Sequence, residues 1–318
     1  MQAVLLAAGQ SSRFSPFTHL PHKSFIKMLG KAILEHTLDS LKNVNITDVI
    51  LVANNNDAFQ QFVAYGKTIG VQVTIVILPE PLGMGAALLA AKEYLQDTFF
   101  LLSAYHMDVI DVAEDLIKKQ KNPATIVLVG QKNVQSTSYG YMKVDGDTVL
   151  SIFEKPQTVT PDMHRIIGIY LLNKSFVATL ERVPDNHYNF ELALDAYAKT
   201  KNVHVVLTQI KPVTLKYAWD LLRVKDYLLS KMNPKISSSA TVSPTAVITG
   251  NVVIEDGVKI MEHVCIKGPA YVGKNCVLGN NVVLRNGVSL GENVVIGANM
   301  EMKDTVAMDN MTTHAGFI

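Results

Sequence analysis

Cysteine is nearly missing from this 318-residue chain, which has only Cys265 and Cys276. Two cysteines exclude a disulfide framework and a cysteine-built metal centre, and they suit a reducing compartment. An excess of one charge is missing too. Twenty-nine basic side chains face twenty-eight acidic ones, for a formal charge of +1. No global field attracts nucleic acid, so any anion binding must come from a local arrangement. No apolar run approaches the ~20 residues of a membrane span. The opening MQAVLLAAG lacks the basic flank and the length of a signal peptide. These absences lead us to expect a cytoplasmic protein without a membrane or nucleic-acid partner. What remains is an ordinary globular composition, 48% apolar and 18% charged, with length for one to three domains.

Up to about residue 230 the chain alternates strand-like and helix-like segments. AVLLAA, DVILVAN, VQVTIVI and TFFLLSAY read as strands, and KAILEHTLDSLKN and GAALLAAKEYLQD as helices. Such alternation predicts a mainly parallel sheet with helices on both faces. Later, YMKVDGDTVLSIF reads as a hairpin around Asp145-Gly146-Asp147, with further strands at HRIIGIYLLN and VHVVLTQI, so the sheet is expected to become mixed.

From about residue 236 the chain is periodic. In sixes counted from Ala240, the first position runs from Ala240, Ala246 and Val252 through Val282 to Met300 and Val306. The position two places on runs from Val242 and Ile248 through Leu284 to Met302 and Met308. Twelve sixes without an insertion predict a parallel β-helix of about four coils, with both positions inward and glycines such as Gly250, Gly257, Gly268, Gly279, Gly287 and Gly291 near the corners. The polar LLSKMNPKISSSAT separates two domains, 1–230 and 231–318.

Near the N-terminus, LLAAGQSSRFSPFTHLPHKSF breaks a strand at Gly9, a residue free to turn where others resist. Backbone N–H groups in such a turn cradle phosphate, Ser11 and Ser12 add hydroxyls, and Arg13 and Lys23 supply cations. The Walker pattern is absent.

This stretch resembles the signature of the sugar-1-phosphate nucleotidylyltransferases, L-A-A-G-x-G-[ST]-R-x-x-P-x-T followed by P-K. Leu6, Ala7, Ala8, Gly9, Ser12, Arg13, Pro16, Thr18 and Lys23 match it. EPLGMGAALLAA, YGYMKV, IFEKP, IIGIYLLN and AWDLLRVKDYLL resemble later motifs of that family, in order, over about 230 residues. The resemblance implies a Rossmann-like α/β domain with a mixed, mainly parallel sheet, followed by a left-handed parallel β-helix. It also implies transfer of a nucleotidyl group, with UTP or dTTP favoured, to a sugar 1-phosphate, with Mg²⁺ and release of pyrophosphate. A homo-oligomer is expected.

By the same resemblance Arg13, Lys23 and Lys155 carry the catalysis. Leu6, Ala8, Gly9, Ser11, Ser12 and Gly83 bind the nucleotide. Gly140, Glu154, Lys155 and Tyr170 bind the sugar phosphate, and Asp108 and Asp220 hold the metal. The attacking phosphate is already an anion, so no strong base is needed. The task is to bring two anions together, through positioning and charge neutralisation.

Three departures stand out. HMD replaces the usual Gly-Asp, so Met107 is expected to crowd the metal or sugar. Leu78 falls where a base-reading glutamine is usual. HK replaces P-K. His106 and His263 are expected to be structural, the latter at an outward corner. Two alternatives remain: a catalytically degenerate nucleotide-sugar-binding regulator, and a bifunctional enzyme with an acetyltransferase in the β-helix. For the second, His314 would be the catalytic histidine, with an acyl-CoA site expected to be incomplete because only four residues follow it.

Overall fold

The computed structural model describes residues 1–132, 134, 136–200 and 202–316. It forms two compact units, Met1–Ser12 with Leu34–Pro212, and Arg13–Ile33 with everything from Val213 onward.

The first unit is built on a nine-stranded sheet. Its strands are β1 (Gln2–Ala7), β4 (Asp48–Ala53), β5 (Gln72–Ile77), β6 (Thr98–Ser103), β7 (Ile126–Gln131), β8 (Gly140–Asp145), β9 (Thr148–Glu154), β10 (Met163–Asn173) and β11 (Val203–Thr208). The order is β5-β4-β1-β6-β10-β7-β11-β9-β8. Strand β1 lies parallel between β4 and β6, and β10 runs antiparallel to β6 and β7, so the sheet is mixed as expected; it is not mainly parallel, because among the described residues four of its strand pairings are parallel and five antiparallel. The unbroken apolar runs of β1 and β4 are buried on both faces, as central parallel strands require. Helix α2 (Asn56–Ile69) starts where Asn55 Oδ1 accepts from the Asp57 and Ala58 N–H groups, and it stops at left-handed Gly70.

One expected helix is shorter than its sequence pattern. GAALLAAKEYLQD yields α3 (Met84–Ala90) and then only a tight turn at Lys92–Tyr94. The Gln2 side chain donates to Tyr94 O and accepts from the Gln96 N–H, tying the chain down before β6 begins.

The second unit contains the hairpin of β2 (Lys27–Met28) and β3 (Lys31–Ala32), helix α7 (Asp220–Lys231) and the repeat region. Repeat strands pair in parallel with those 18 residues on, as in Val247↔Cys265 and Cys265↔Val283. The first positions from Val252 to Val294 and the third from Ile254 to Ile296 are all buried.

One repeat expectation needs correction. The register does not hold through all twelve sixes: in the last coil Val288 pairs with Thr305 and Leu290 with Ala307, 17 residues on. The two-residue corner Asn286-Gly287, both left-handed, is matched one coil later by Asp304 alone. Ala307 is therefore buried and Val306 is not. Of the expected corner glycines, Gly250, Gly257 and Gly287 are left-handed, and asparagines take the same conformation elsewhere. Asn275, Asn281, Asn293, Asn299 and Asn310 hold left-handed φ, a conformation asparagine tolerates. Their side chains ladder from coil to coil, Asn275 Nδ2 to Asn293 Oδ1 at 3.2 Å and Asn293 Nδ2 to Asn310 Oδ1 at 3.1 Å. His263 is an exposed corner residue as expected, with φ 60°. Among the described residues, no helix is long and apolar enough to cross a membrane.

Candidate functional site

In the first unit, β1 delivers Leu6 and Ala8 to the carboxyl edge of the sheet, where the chain leaves through Gly9, Ser11 and Ser12. The turn differs from expectation. Gly9 is not left-handed; Ser11 is, at φ 53°. Apart from its chain neighbours, no described residue lies within 4 Å of a Cβ built on Gly9, so a side chain there would meet open space. Gly83, by contrast, needs to be glycine: its φ is +102°, and a Cβ would sit 2.8 Å from His187 O.

The structure brings the predicted sugar-phosphate residues together. Gly140 opens β8 directly opposite Glu154, which ends β9. A Cβ on Gly140 would lie 2.9 Å from Glu154 Oε2, so the missing side chain lets that carboxylate approach the backbone. Lys155 follows in a left-handed turn at φ 45°. Its Nζ lies 3.1 Å from Glu154 Oε1 and 5.2 Å from the centre of the Tyr188 ring. The hydrogen bond to Glu154 holds the ammonium above its usual range. Tyr170 is buried in β10, edge-on to Phe190, and burial raises its hydroxyl, with Glu191 and Glu154 adding to the effect.

Glu191 was not picked out from the sequence. It lies in the first turn of α6 (Asn189–Ala198), with Oε2 buried and unpaired. Burial, then the Glu154 charge, raises its carboxyl. NFELALDAY carries two acidic residues, Glu191 and Asp195, inside a largely apolar helix, a weak signal that did exist.

After β6, the Asp108 carboxylate takes the buried His106 ring, Oδ1 to Nδ1 at 3.0 Å. A Cβ on Gly168 would stand 3.3 Å from His106 Nε2. The Met107 side chain is itself packed into the core, so it is directed into protein interior, where the sequence suggested crowding of a ligand.

The second unit holds Arg13, Lys23 and Asp220. Lys23 Nζ donates to Leu215 O at 2.5 Å. Burial, then the Arg13 guanidinium, lowers the ammonium to about 8 against the opposite pull of Asp220. Asp220 begins α7 and turns Oδ2 onto the N–H groups of Lys216 and Tyr217, at 2.7 and 2.8 Å.

Asp108 in the first unit and Asp220 in the second are each the kind of hard oxygen donor that Mg²⁺ prefers. Protein hydrogen bonds orient both carboxylates, as metal ligands are commonly oriented in proteins. Among the described residues, no group of three or more His, Cys, Asp or Glu forms a metal cage of its own.

The chain is similar to bifunctional protein GlmU of Methanococcus maripaludis, 28% identical over 243 residues, covering 74% of this chain and 56% of that one. It is also similar to a bifunctional sugar-1-phosphate nucleotidylyltransferase/acetyltransferase of Sulfurisphaera tokodaii, 29% identical over 245 residues, covering 73% and 56%. The chain thus spans little more than half the length of these relatives. A UDP-glucose pyrophosphorylase solved with UDP-glucose shares the fold at TM-score 0.62 and 16% identity, over 73% of this chain and 99% of that one. The bacterial transferase hexapeptide model matches residues 269–299. Because the nucleotidyl transferase model matches residues 2–220, most of the chain, the protein belongs to the nucleotidyl transferase family.

Proposed function

We propose that the protein joins a nucleoside triphosphate, UTP or dTTP, to a sugar 1-phosphate. A phosphate oxygen of the sugar phosphate forms a bond to the α-phosphorus, the bond to the β-phosphate oxygen breaks, and pyrophosphate leaves. The observation that carries this is the Lys155–Glu154 pair set against the Gly140 backbone. It puts a cation and a hydrogen-bond acceptor side by side, which suits a ligand bearing both a phosphate and hydroxyls.

In this reading Lys155 holds the sugar phosphate and Glu154 accepts from sugar hydroxyls, with Tyr170 behind them. Arg13 and Lys23 hold the triphosphate and then the departing pyrophosphate. Burial and the Arg13 charge disfavour the charged form of Lys23, and an arriving anion would favour it again. The loop from Leu6 through Ser12, with Gly83, takes the nucleotide. Asp108 and Asp220 would hold Mg²⁺, which neutralises phosphate charge when bound. The repeat region is proposed to be a left-handed β-helix in a cytoplasmic homo-oligomer.

A screen for pyrophosphate release tests this reading. It would mix common triphosphates with glucose, N-acetylglucosamine, mannose and galactose 1-phosphates in the presence of Mg²⁺. Release with at least one pair is expected. Binding without release would favour the regulatory alternative.

A further inference from the structure

We propose that Asn54 reads the nucleobase, accepting at Oδ1 from a ring N–H and donating from Nδ2 to the carbonyl beside it. The inference rests on the nucleotide-binding reading above and names the group that selects the base.

Asn54 follows β4 at the carboxyl edge of the parallel strands β5, β4 and β1, the edge where open α/β sheets take their ligands. Ala53 pairs with Ala7 on one side and Ile77 on the other, and the Leu78 N–H donates to Ala53 O at 2.8 Å. Asn54 therefore stands between the starts of two loops, one leading through Gly9 and Ser11, the other through Leu78 to Gly83. Side chains alternate along a strand. Ile50 and Val52 belong to the core under α3, as does Val76, with Leu6 and Leu78 packed against it. Asn54 lies in the bend one residue past the end of β4, as Leu78 lies one residue past the end of the paired strand β5.

Its Oδ1 is buried and has no hydrogen-bond partner. A buried amide oxygen left unpaired is destabilising, and native proteins keep few of them. No local task accounts for it, because capping of α2 falls to the next residue, Asn55, whose Oδ1 takes two backbone N–H groups. Leu78 offers a base only an apolar surface. An in-plane donor and acceptor at this position must come from elsewhere, and Asn54 carries both.

A ring N–H next to a carbonyl occurs in uracil, thymine and guanine, and not in adenine or cytosine. The proposed base is therefore one of the first three.

The test uses full-length protein and its Asn54→Leu and Asn54→Ala variants. Equilibrium binding of UTP, dTTP, GTP, CTP and ATP would be measured with melting temperature, and turnover wherever it occurs. Wild-type protein is expected to favour a base with the N–H and carbonyl edge over CTP and ATP. Both variants should lose most of that preference, about 10-fold or more, while melting at or above the wild-type temperature. A structural role for Asn54 would instead lower the melting temperature and leave the base ratio alone. An unchanged ratio in a folded variant overturns the proposal, as does a wild-type preference for CTP or ATP. Base-selective binding that the variants lose, without turnover in any protein, sustains this inference and removes the catalytic reading. Turnover with an unchanged base ratio does the reverse. No nucleotide binding at all overturns both.

Discussion

Lys225 of α7, fully buried, places its ammonium on the carboxylate of Asp304, the single residue that turns the shortened corner of the last coil. The same Nζ donates to Gly287 O, at the two-residue corner one coil earlier, at 2.8 Å. Asp226 Oδ1 stands 3.1 Å away. One buried cation thus joins two successive corners where the repeat loses a residue.

The pair should be asymmetric. Asp304→Ala strands part of a buried charge, whereas Lys225→Met leaves a half-exposed carboxylate that water can solvate. Breaking a buried pair from one side costs about 3–5 kcal/mol. The nearby Asp226 lessens this, so we expect Asp304→Ala to lose about 2–3 kcal/mol, and Lys225→Met less. Denaturant titration of both variants checks the order.

Val282 lies in the interior of the coils with no exposed surface. Burying one such aliphatic contributes roughly 1.5–3 kcal/mol, and an unpaired carboxylate there costs far more. Because each coil packs mainly on its neighbours, Val282→Asp should unfold several coils together. Loss of the far-ultraviolet β signal and of the cooperative melt is expected.

Lys155→Ala and Asp220→Asn should each lower turnover by about 10²–10³, the usual effect of removing one positioned group in such a site. Asn at 220 keeps an oxygen for the Lys216 and Tyr217 N–H groups, so the start of α7 survives and the loss reports charge. Steady-state kinetics with melting curves separates the two effects.

Triphosphate affinity should depend on pH through Lys23. Its ammonium is lowered to about 8, so it is charged below that pH and loses its proton as the pH rises through it. A bound anion favours the charged form and raises the pKa again. Affinity is therefore expected to fall above pH 8, and binding at pH 9 to take up protons. Calorimetry in buffers of different ionisation enthalpy measures that uptake, which Lys23→Arg should abolish.

Much of this was legible in the sequence because local chemistry and burial agree. The strands β1, β4, β5 and β6 stand at their apolar runs, and the hexads mark the inward positions from Val252 to Ile296. The last coil was not legible, since Val306 and Ala307 are both apolar and either satisfies the alternation. The left-handed residue of the opening loop was expected at the glycine and falls on Ser11, because sequence shows which residue turns most easily and not where the turn is forced. Glu191 and Asn54 were missed for a related reason. A single polar residue after a strand or within a helix looks like surface until the fold shows its oxygen buried and unpaired.

The most direct measurement is phosphorus NMR of the protein with Mg²⁺, UTP or dTTP and a sugar 1-phosphate. The account predicts that pyrophosphate and a nucleotide-sugar diphosphate signal grow together in equal amounts, and that Lys155→Ala slows both alike. Release of inorganic phosphate in place of pyrophosphate, or no change across the sugar phosphates in folded wild-type protein, would contradict it.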